Sequence, residues 1–139
     1  MTPDLRFPRV LHVLIHLSLR DRVMSSAEIA KMLTTNPVVV RRMLAGLRDN
    51  GLIEATKGRS GGWRAAKPLD DMSMRDVFDA LRRPDQVTLR ETRDHPGCPV
   101  EEAVNEALHK VEAEAAELIC KRHEAMSLGD IARAAMNGE

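Results

Sequence analysis

The chain has 139 residues, 43% of them hydrophobic, and its 21 basic residues balance 21 acidic ones. That suits one compact domain with an appended element, with a core packed by aliphatic residues and methionine, since Phe7, Phe78 and Trp63 are its only aromatics. No apolar run approaches the ~20 residues of a membrane span, the N-terminus lacks a secretory pattern, and two cysteines without one predict reduced thiols in a cytoplasmic protein.

In chain order, the spacing of Val10, Leu11, Leu14, Ile15 and Leu17 predicts a first helix over Arg6 to Leu19. His12 and His16 there have the i, i+4 spacing of a two-histidine metal pair, but no further ligand accompanies them. A partly buried, hydrogen-bonded pair is expected instead. Ser26 is expected to cap a short helix from Ala27 to Leu33. Asn36 and Pro37, a capping side chain followed by proline in the first turn, then open a helix from Val38 to Asn50. Val40, Leu44 and Leu47 mark its inner face, Arg41, Arg42 and Arg48 its solvated one, and Gly51 its left-handed stop. Leu52 to Lys57 suits a strand, residues 58–62 must turn, and Trp63 to Ala66 returns antiparallel.

Helix, turn, helix and a glycine-rich hairpin flanked by Lys57, Arg59 and Arg64 form a winged helix-turn-helix, which places one helix in the major groove of DNA and a hairpin on the backbone. The charge distribution agrees. Residues 1–69 hold 12 Lys/Arg against 5 Asp/Glu, a balance of +7, and residues 70–139 hold 9 against 16, a balance of −7. A cationic half releases counterions when it meets phosphates.

Downstream, Ser73 is expected to cap a helix from Met74 to Arg82. Residues 83–98 contain Pro84, Pro96 and Gly97 and few apolar residues, which predicts a mobile connection and a possible sensor loop. Pro99 opens a long helix to about His123, and Ser127 caps a last one from Leu128 to Met136. His109 and His123 are expected to be solvated, and no internal repeat is evident. The fold expected is mainly α with a small β-wing. It divides into a DNA-binding domain over 1–82, the connection over 83–98, and a dimerisation helix with a terminal helix over 99–139.

Within the long helix, Val104, Leu108, Val111, Ala115 and Leu118 recur at intervals of 4, 3, 4 and 3. This is the seam of a helix that packs along another, and its roughly 36 Å exceeds what the small winged domain needs. Packing within the chain is one reading. A homodimer seam is the other, and it fits a reader of two-fold sites.

The stretches "RVLHVLIHL", "TTNPVVVRRMLAGLRDNGLI" and "KGRSGGW" resemble the bacterial Rrf-type winged-helix regulators grouped with IscR, NsrR and CymR, and the resemblance covers essentially the whole chain. It implies a dimer whose long helices cross and whose recognition helices and wings grip double-stranded DNA at a two-fold operator. The DNA-contacting positions it implies are Thr35, Asn36, Pro37, Val38, Val39, Arg41 and Arg42 at the recognition-helix start, and Lys57, Arg59, Ser60 and Gly61 in the wing.

Arginine can pair bidentately with guanine, so Arg41 and Arg42 are candidates for base edges or for phosphate. Val38 and Val39 suit thymine methyls, and Asn36 is primarily a cap. Arg59 suits a narrow minor groove, and Ser26 a phosphate oxygen. Arg48, near the helix end, reads as structural. Cluster-binding relatives carry three cysteines around the connection, whereas this chain has only Cys98 there, with Cys120 ~33 Å further along one straight helix. No iron–sulfur cluster, metal or other cofactor is therefore expected, nor an intrachain disulfide.

Cys98, at a helix start beside Pro99 and near His95, is the candidate redox sensor, with an inert helix-start residue as the alternative. Cys120 reads as inert. No Ser-His-Asp set, phosphate-cradling loop or base for Cys98 is identifiable, so no enzyme is expected. The function expected is that of a dimeric, sequence-specific DNA-binding transcriptional repressor. The alternative is a protein-interaction adaptor on a winged scaffold.

Overall fold

The computed structural model describes residues 5–81 and 91–138. Helix α1 (Arg6–Arg20) sends Val10, Val13, Leu14 and Leu17 into the core and ends at Asp21, which is left-handed. Helix α2 (Ser26–Leu33) buries Ile29, Ala30 and Leu33. Its cap is Ser25 rather than Ser26: the Ser25 hydroxyl accepts from the Glu28 amide at 3.1 Å. A cap must lie outside the helix with extended backbone, as Ser25 does, whereas Ser26 is already helical.

Thr34 closes α2 in the left-handed region at φ 55°, which lets the Thr35 amide reach back to the Ala30 carbonyl at 2.9 Å. That tight turn leads directly into α3 (Pro37–Asp49), where Asn36 Oδ1 accepts from the Val39 amide at 3.1 Å. Helix α3 ends as Gly51 predicted: at φ 74° the chain reverses, and the Leu52 amide returns to the Leu47 carbonyl at 3.0 Å. Leu47 and Leu52 are both buried, completing that terminator with its apolar contact.

Strands β1 (Ile53–Thr56) and β2 (Gly62–Ala65) pair antiparallel, Ile53 opposite Ala65 and Thr56 opposite Gly62. The wing is joined to the rest by Trp63. Its amide and carbonyl bond those of Met24 at 2.8 and 2.9 Å, making Met24 a one-residue third strand. Glycine at 62 follows from that closeness, because a Cβ there would lie 2.2 Å from the Met24 carbonyl oxygen. At Gly61 a Cβ would meet the Thr56 carbonyl at 2.2 Å.

After a 3-10 turn (Leu69–Asp71) come α4 (Met74–Leu81), α5 (Pro99–Glu124) and α6 (Leu128–Met136). Arg82, the expected end of α4, lies outside the described residues. Helices α4 and α6 begin with matching hexapeptides, Met-Ser-Met-Arg-Asp-Val over 72–77 and Met-Ser-Leu-Gly-Asp-Ile over 126–131. Ser73 with Asp76 and Ser127 with Asp130 form two capping boxes, and the serines face each other across an antiparallel bridge. Its bonds are reciprocal, Leu128 amide to Met72 carbonyl at 2.8 Å and Met74 amide to Met126 carbonyl at 2.9 Å. A short internal repeat is therefore present, contrary to the sequence reading. It brings Leu128 and Ala132 of α6 into the same core as Leu69, Met72 and Val77.

Helix α5 has 26 residues and buries none of them. Its C-terminal end is held by His123, whose ring lies 5.2 Å from those of both Phe7 and Phe78, themselves 5.4 Å apart. His123 is thus not a solvated residue, and its Nδ1 is buried without a hydrogen-bond partner. Arg75 of α4 adds an ion pair to Glu124.

His12 and His16 also differ from expectation. His12 is exposed, and the rings meet edge to face at 4.7 Å without a hydrogen bond among the described residues. Burial, then His12 and Arg20, lower the pKa of His16. As pH falls below the ordinary histidine range of ~6.5, the unfolded chain takes up that proton first, so this histidine's share of stability is lost on the acid side.

Gly62→Ala should lower stability by about 1–3 kcal/mol, the usual cost of forcing atoms into a packed site. Thermal unfolding of the variant beside wild type checks it. An unchanged midpoint would mean that the wing does not sit on Met24.

Candidate nucleic-acid interface

Val40, Met43, Leu44 and Leu47 of α3 are buried, which fixes how the helix presents its other residues. At 100° per residue Val38 and Arg42 fall near the centre of the solvent face. Arg41 and Arg48 lie along one flank, Val39 and Gly46 along the other. The two adjacent arginines therefore point in different directions, which the sequence alone did not separate. Val38 and Val39 are exposed, Thr35 and Pro37 half-buried, and Asn36 is exposed with its Oδ1 engaged in the cap.

In the wing, Lys57, Arg59 and Ser60 are exposed and Gly61 is half-buried under the turn carbonyls. Ser26 is drawn to the wing rather than used as a cap: its hydroxyl accepts from Trp63 Nε1–H at 3.0 Å. With that lone pair occupied, the hydroxyl proton is free to be donated outward. The start of α2 and the base of the wing thus form one surface.

Ion pairing separates the cations into two groups. Arg22 pairs with Glu28 at 2.8 Å, Arg48 with Asp49 at 3.5 Å, Arg64 with Asp21 at 3.7 Å and Arg133 with Asp70 at 2.8 Å. Among the described residues, Arg41, Arg42, Lys57 and Arg59 have no acidic partner. Arg9, Arg20, Lys31, Lys67 and Arg122 are likewise unpaired among the described residues, so the unneutralised cations include, without being confined to, those of the recognition helix and the wing.

A second surface lies on α5. Val104, Leu108, Val111 and Leu118 of the expected seam are 44–63% exposed, and Ala115 is exposed as well. Among the described residues they are not buried by the rest of the chain. Val100 and Ile119, which the sequence reading passed over, extend the same apolar face. Val100 was legible four residues before Val104.

Part of the connection makes hydrogen bonds to α5. Residues 83–90 lie outside the described residues, but 91–98 fold back along α5. Asn105 exchanges two bonds with Thr92, its Oδ1 accepting from the amide at 3.2 Å and its Nδ2 donating to the carbonyl at 2.9 Å. The Glu101 carboxylate accepts from the Thr92 hydroxyl at 3.2 Å, the Asp94 amide at 3.0 Å and the His95 amide at 3.3 Å. Glu91 pairs with Arg93 at 2.7 Å and approaches His109 Nε2 to 3.4 Å, off hydrogen-bond geometry. His109, like His123, is therefore only half-exposed. Cys98 occupies the N-cap of α5, half-buried, with no side-chain capping bond.

The family described as Rrf2, iron-dependent transcriptional regulator, matches residues 5–134. The chain belongs to the Rrf2 family. It is 30% identical over 103 residues to YwnA of Bacillus subtilis, described as an HTH-type transcriptional regulator, covering 74% of this chain and 76% of that one. In three dimensions it matches the crystal structure of a transcriptional regulator from Lactobacillus plantarum with TM-score 0.79 at 26% identity, over 96% of this chain and 90% of that one. T. potens IscR shares the fold, with TM-score 0.72 at 16% identity over 100% and 91% of the two chains. The winged fold and the Rrf-type resemblance stand, and the chain is a DNA-binding transcriptional regulator rather than an enzyme. No described helix is long and apolar enough to cross a membrane.

The family description names iron, and the donor set among the described residues of this Rrf2 chain does not fit it. No group of three or more histidine, cysteine, aspartate or glutamate side chains converges among the described residues. Residues 83–90 contain neither cysteine nor histidine. Both Glu101 oxygens are engaged with the loop amides, and Cys98 and Cys120 stand near opposite ends of α5. In this chain a carboxylate and an amide side chain organise the segment before the long helix.

Glu101→Ala should release that segment without unfolding the protein, since Glu101 lies outside the core. Amide exchange at Asp94 and His95 should accelerate while the Leu14 and Leu44 amides stay protected. Unaltered exchange at Asp94 and His95 would show that Glu101 does not hold the loop.

Proposed function

We propose that this Rrf2-family protein is a homodimeric, sequence-specific repressor that occupies a two-fold operator. The observation that carries the reading is that Arg41 and Arg42 on the recognition helix and Lys57 and Arg59 in the wing are all exposed and have no acidic partner among the described residues. Unpaired cations on a helix and a hairpin suit a polyanion that replaces small counterions. Val38 and Arg41 at the start of α3 read base edges and thymine methyls, with Thr35, Asn36, Pro37 and Val39 fixing the depth of insertion. Arg42, Ser26, Lys57, Ser60 and the Gly61 backbone meet phosphates, and Arg59 enters the minor groove.

The exposed seam through Val104, Leu108, Val111, Ala115 and Leu118 supports dimerisation, because a large apolar stripe on an otherwise unpacked helix stays soluble by pairing with a second copy. In this division residues 1–82 read DNA, 83–98 connect and sense, and α5 dimerises. Cys98 is the proposed signal-receiving atom, oxidised by peroxide to the sulfenic acid with loss of hydroxide and restored by a thiol reductant. Its place at the junction of the connection and α5 supports this role.

Leu108→Asp with Val111→Asp should convert the dimer to monomer at micromolar concentration, because carboxylates without partners would be buried in the seam. Sedimentation equilibrium reads the outcome, and a dimeric variant would refute the seam. Arg41→Ala should flatten base discrimination at particular positions by about 1–3 kcal/mol, whereas Arg59→Ala should weaken A·T-flanked sites selectively. Duplexes selected from a random pool, measured by salt-dependent gel shift, test both. Unchanged binding in both variants would defeat the DNA-reading assignment. Mild peroxide should alter DNA affinity reversibly in wild type and leave Cys98→Ser indifferent; an equal response in that variant would remove Cys98 from the mechanism.

A further inference from the structure

We infer that Arg9 of α1, with Arg42 of α3, forms a second phosphate clamp that grips the DNA strand on the wall of the major groove opposite the wing. The inference deepens the DNA-reading assignment and rests on it. It begins with a groove of about 270 Å³ between α1, α3 and the end of α4. Val39, Met43 and Ala80 supply apolar lining, and Arg6, Arg9 and Arg42 line it as well. No acidic side chain lines it among the described residues.

Arg6 has an interaction of its own, and the clamp is built without it. Arg9 is half-buried, and among the described residues neither Arg9 nor Arg42 forms an ion pair. Two cationic residues that line one groove without a counter-charge favour an anion that joins them. The anion's identity follows from where the groove lies. It opens along the α3 flank that carries Val39 and Gly46, with Arg42 reaching it from the solvent side, and Gly46 keeps that flank close to α4, since a Cβ there would be 2.8 Å from the Ala80 carbonyl oxygen.

A helix about 10–12 Å across fills a major groove about 12 Å wide. Both flanks of an inserted α3 must therefore face a phosphate backbone. The start of α2 and the wing, joined through Ser26 and Trp63, attend to one wall. Arg9 and Arg42 are the cations available to the other. A guanidinium offers a phosphate two parallel N–H donors, and the apolar lining strengthens the attraction by excluding water.

The test uses full-length Arg9→Gln, Arg9→Lys and Arg42→Gln, with Arg59→Gln as the wing reference. The probes are a duplex recovered by wild type from a random pool and an unrelated duplex of equal length. Arg9→Gln should weaken binding to both duplexes by a similar factor, about tenfold for a charge-assisted contact, and make the slope of log affinity against log salt shallower by about 0.9. Arg9→Lys should restore the slope, since charge suffices for a phosphate. The Arg9→Gln, Arg42→Gln double variant should lose less than the product of the single losses, because the pair shares one site.

Phosphate-ethylation interference should vanish at one position in Arg9→Gln and at a different one, across the groove, in Arg59→Gln. Wild-type binding with an unchanged slope in Arg9→Gln would overturn the clamp while leaving the DNA-reading assignment intact. So would an altered response to free inorganic phosphate with DNA affinity unaffected. Failure of wild type itself to bind any duplex would instead overturn the parent assignment, and the clamp with it. Thermal midpoints of each variant separate loss of fold from loss of contact.

Discussion

The reciprocal pair of backbone bonds between Met24 and Trp63 is the constraint on which the nucleic-acid surface depends. It turns a two-stranded hairpin, marginal by itself, into an edge of a three-stranded patch. It requires glycine at 62, because only a backbone without Cβ approaches Met24 so closely. The indole of the same residue reaches Ser26, so one side chain aligns the start of α2 with the wing. A hairpin free to swing would lose entropy on meeting DNA; one fixed in this way arrives already oriented.

The sequence revealed most where a rule is local. Asn36 with Pro37, Gly51 after α3, and Ser127 before α6 each announce a terminus through chemistry confined to one turn, and each was readable. Ser25 was equally readable, since Glu28 follows it at the spacing of a capping box, but a second serine beside it diverted the assignment. The 4-3-4-3 stripe on α5 was visible as a period. Its exposure was not readable from the period and appears only in three dimensions.

Contacts between distant segments were not legible. The aromatic triad of Phe7, Phe78 and His123 joins three helices far apart in sequence, and a histidine near the end of a charged helix gives no sign of such partners. The fold-back of residues 91–98 depends on Glu101 and Asn105, polar residues that resemble any others on a solvated helix until their partners are placed. The angular separation of Arg41 and Arg42 needed the core face of α3 to be fixed first. In each case one residue's environment is set by another element, and periodicity is silent about that.

The bridge between Ser73 and Ser127 has a consequence for how the molecule is made. Leu128 and Ala132 complete the core under Met72 and Val77, yet they are synthesised only after the whole of α5. With synthesis at about 5–20 residues per second, the winged domain waits seconds with one side of its core open. By the time that side closes, the whole of α5 has already been synthesised, because it lies between the two serines. The apolar stripe of α5 and the finished winged domain therefore come into being together, so a nascent chain cannot present a complete DNA-binding unit before α5 exists.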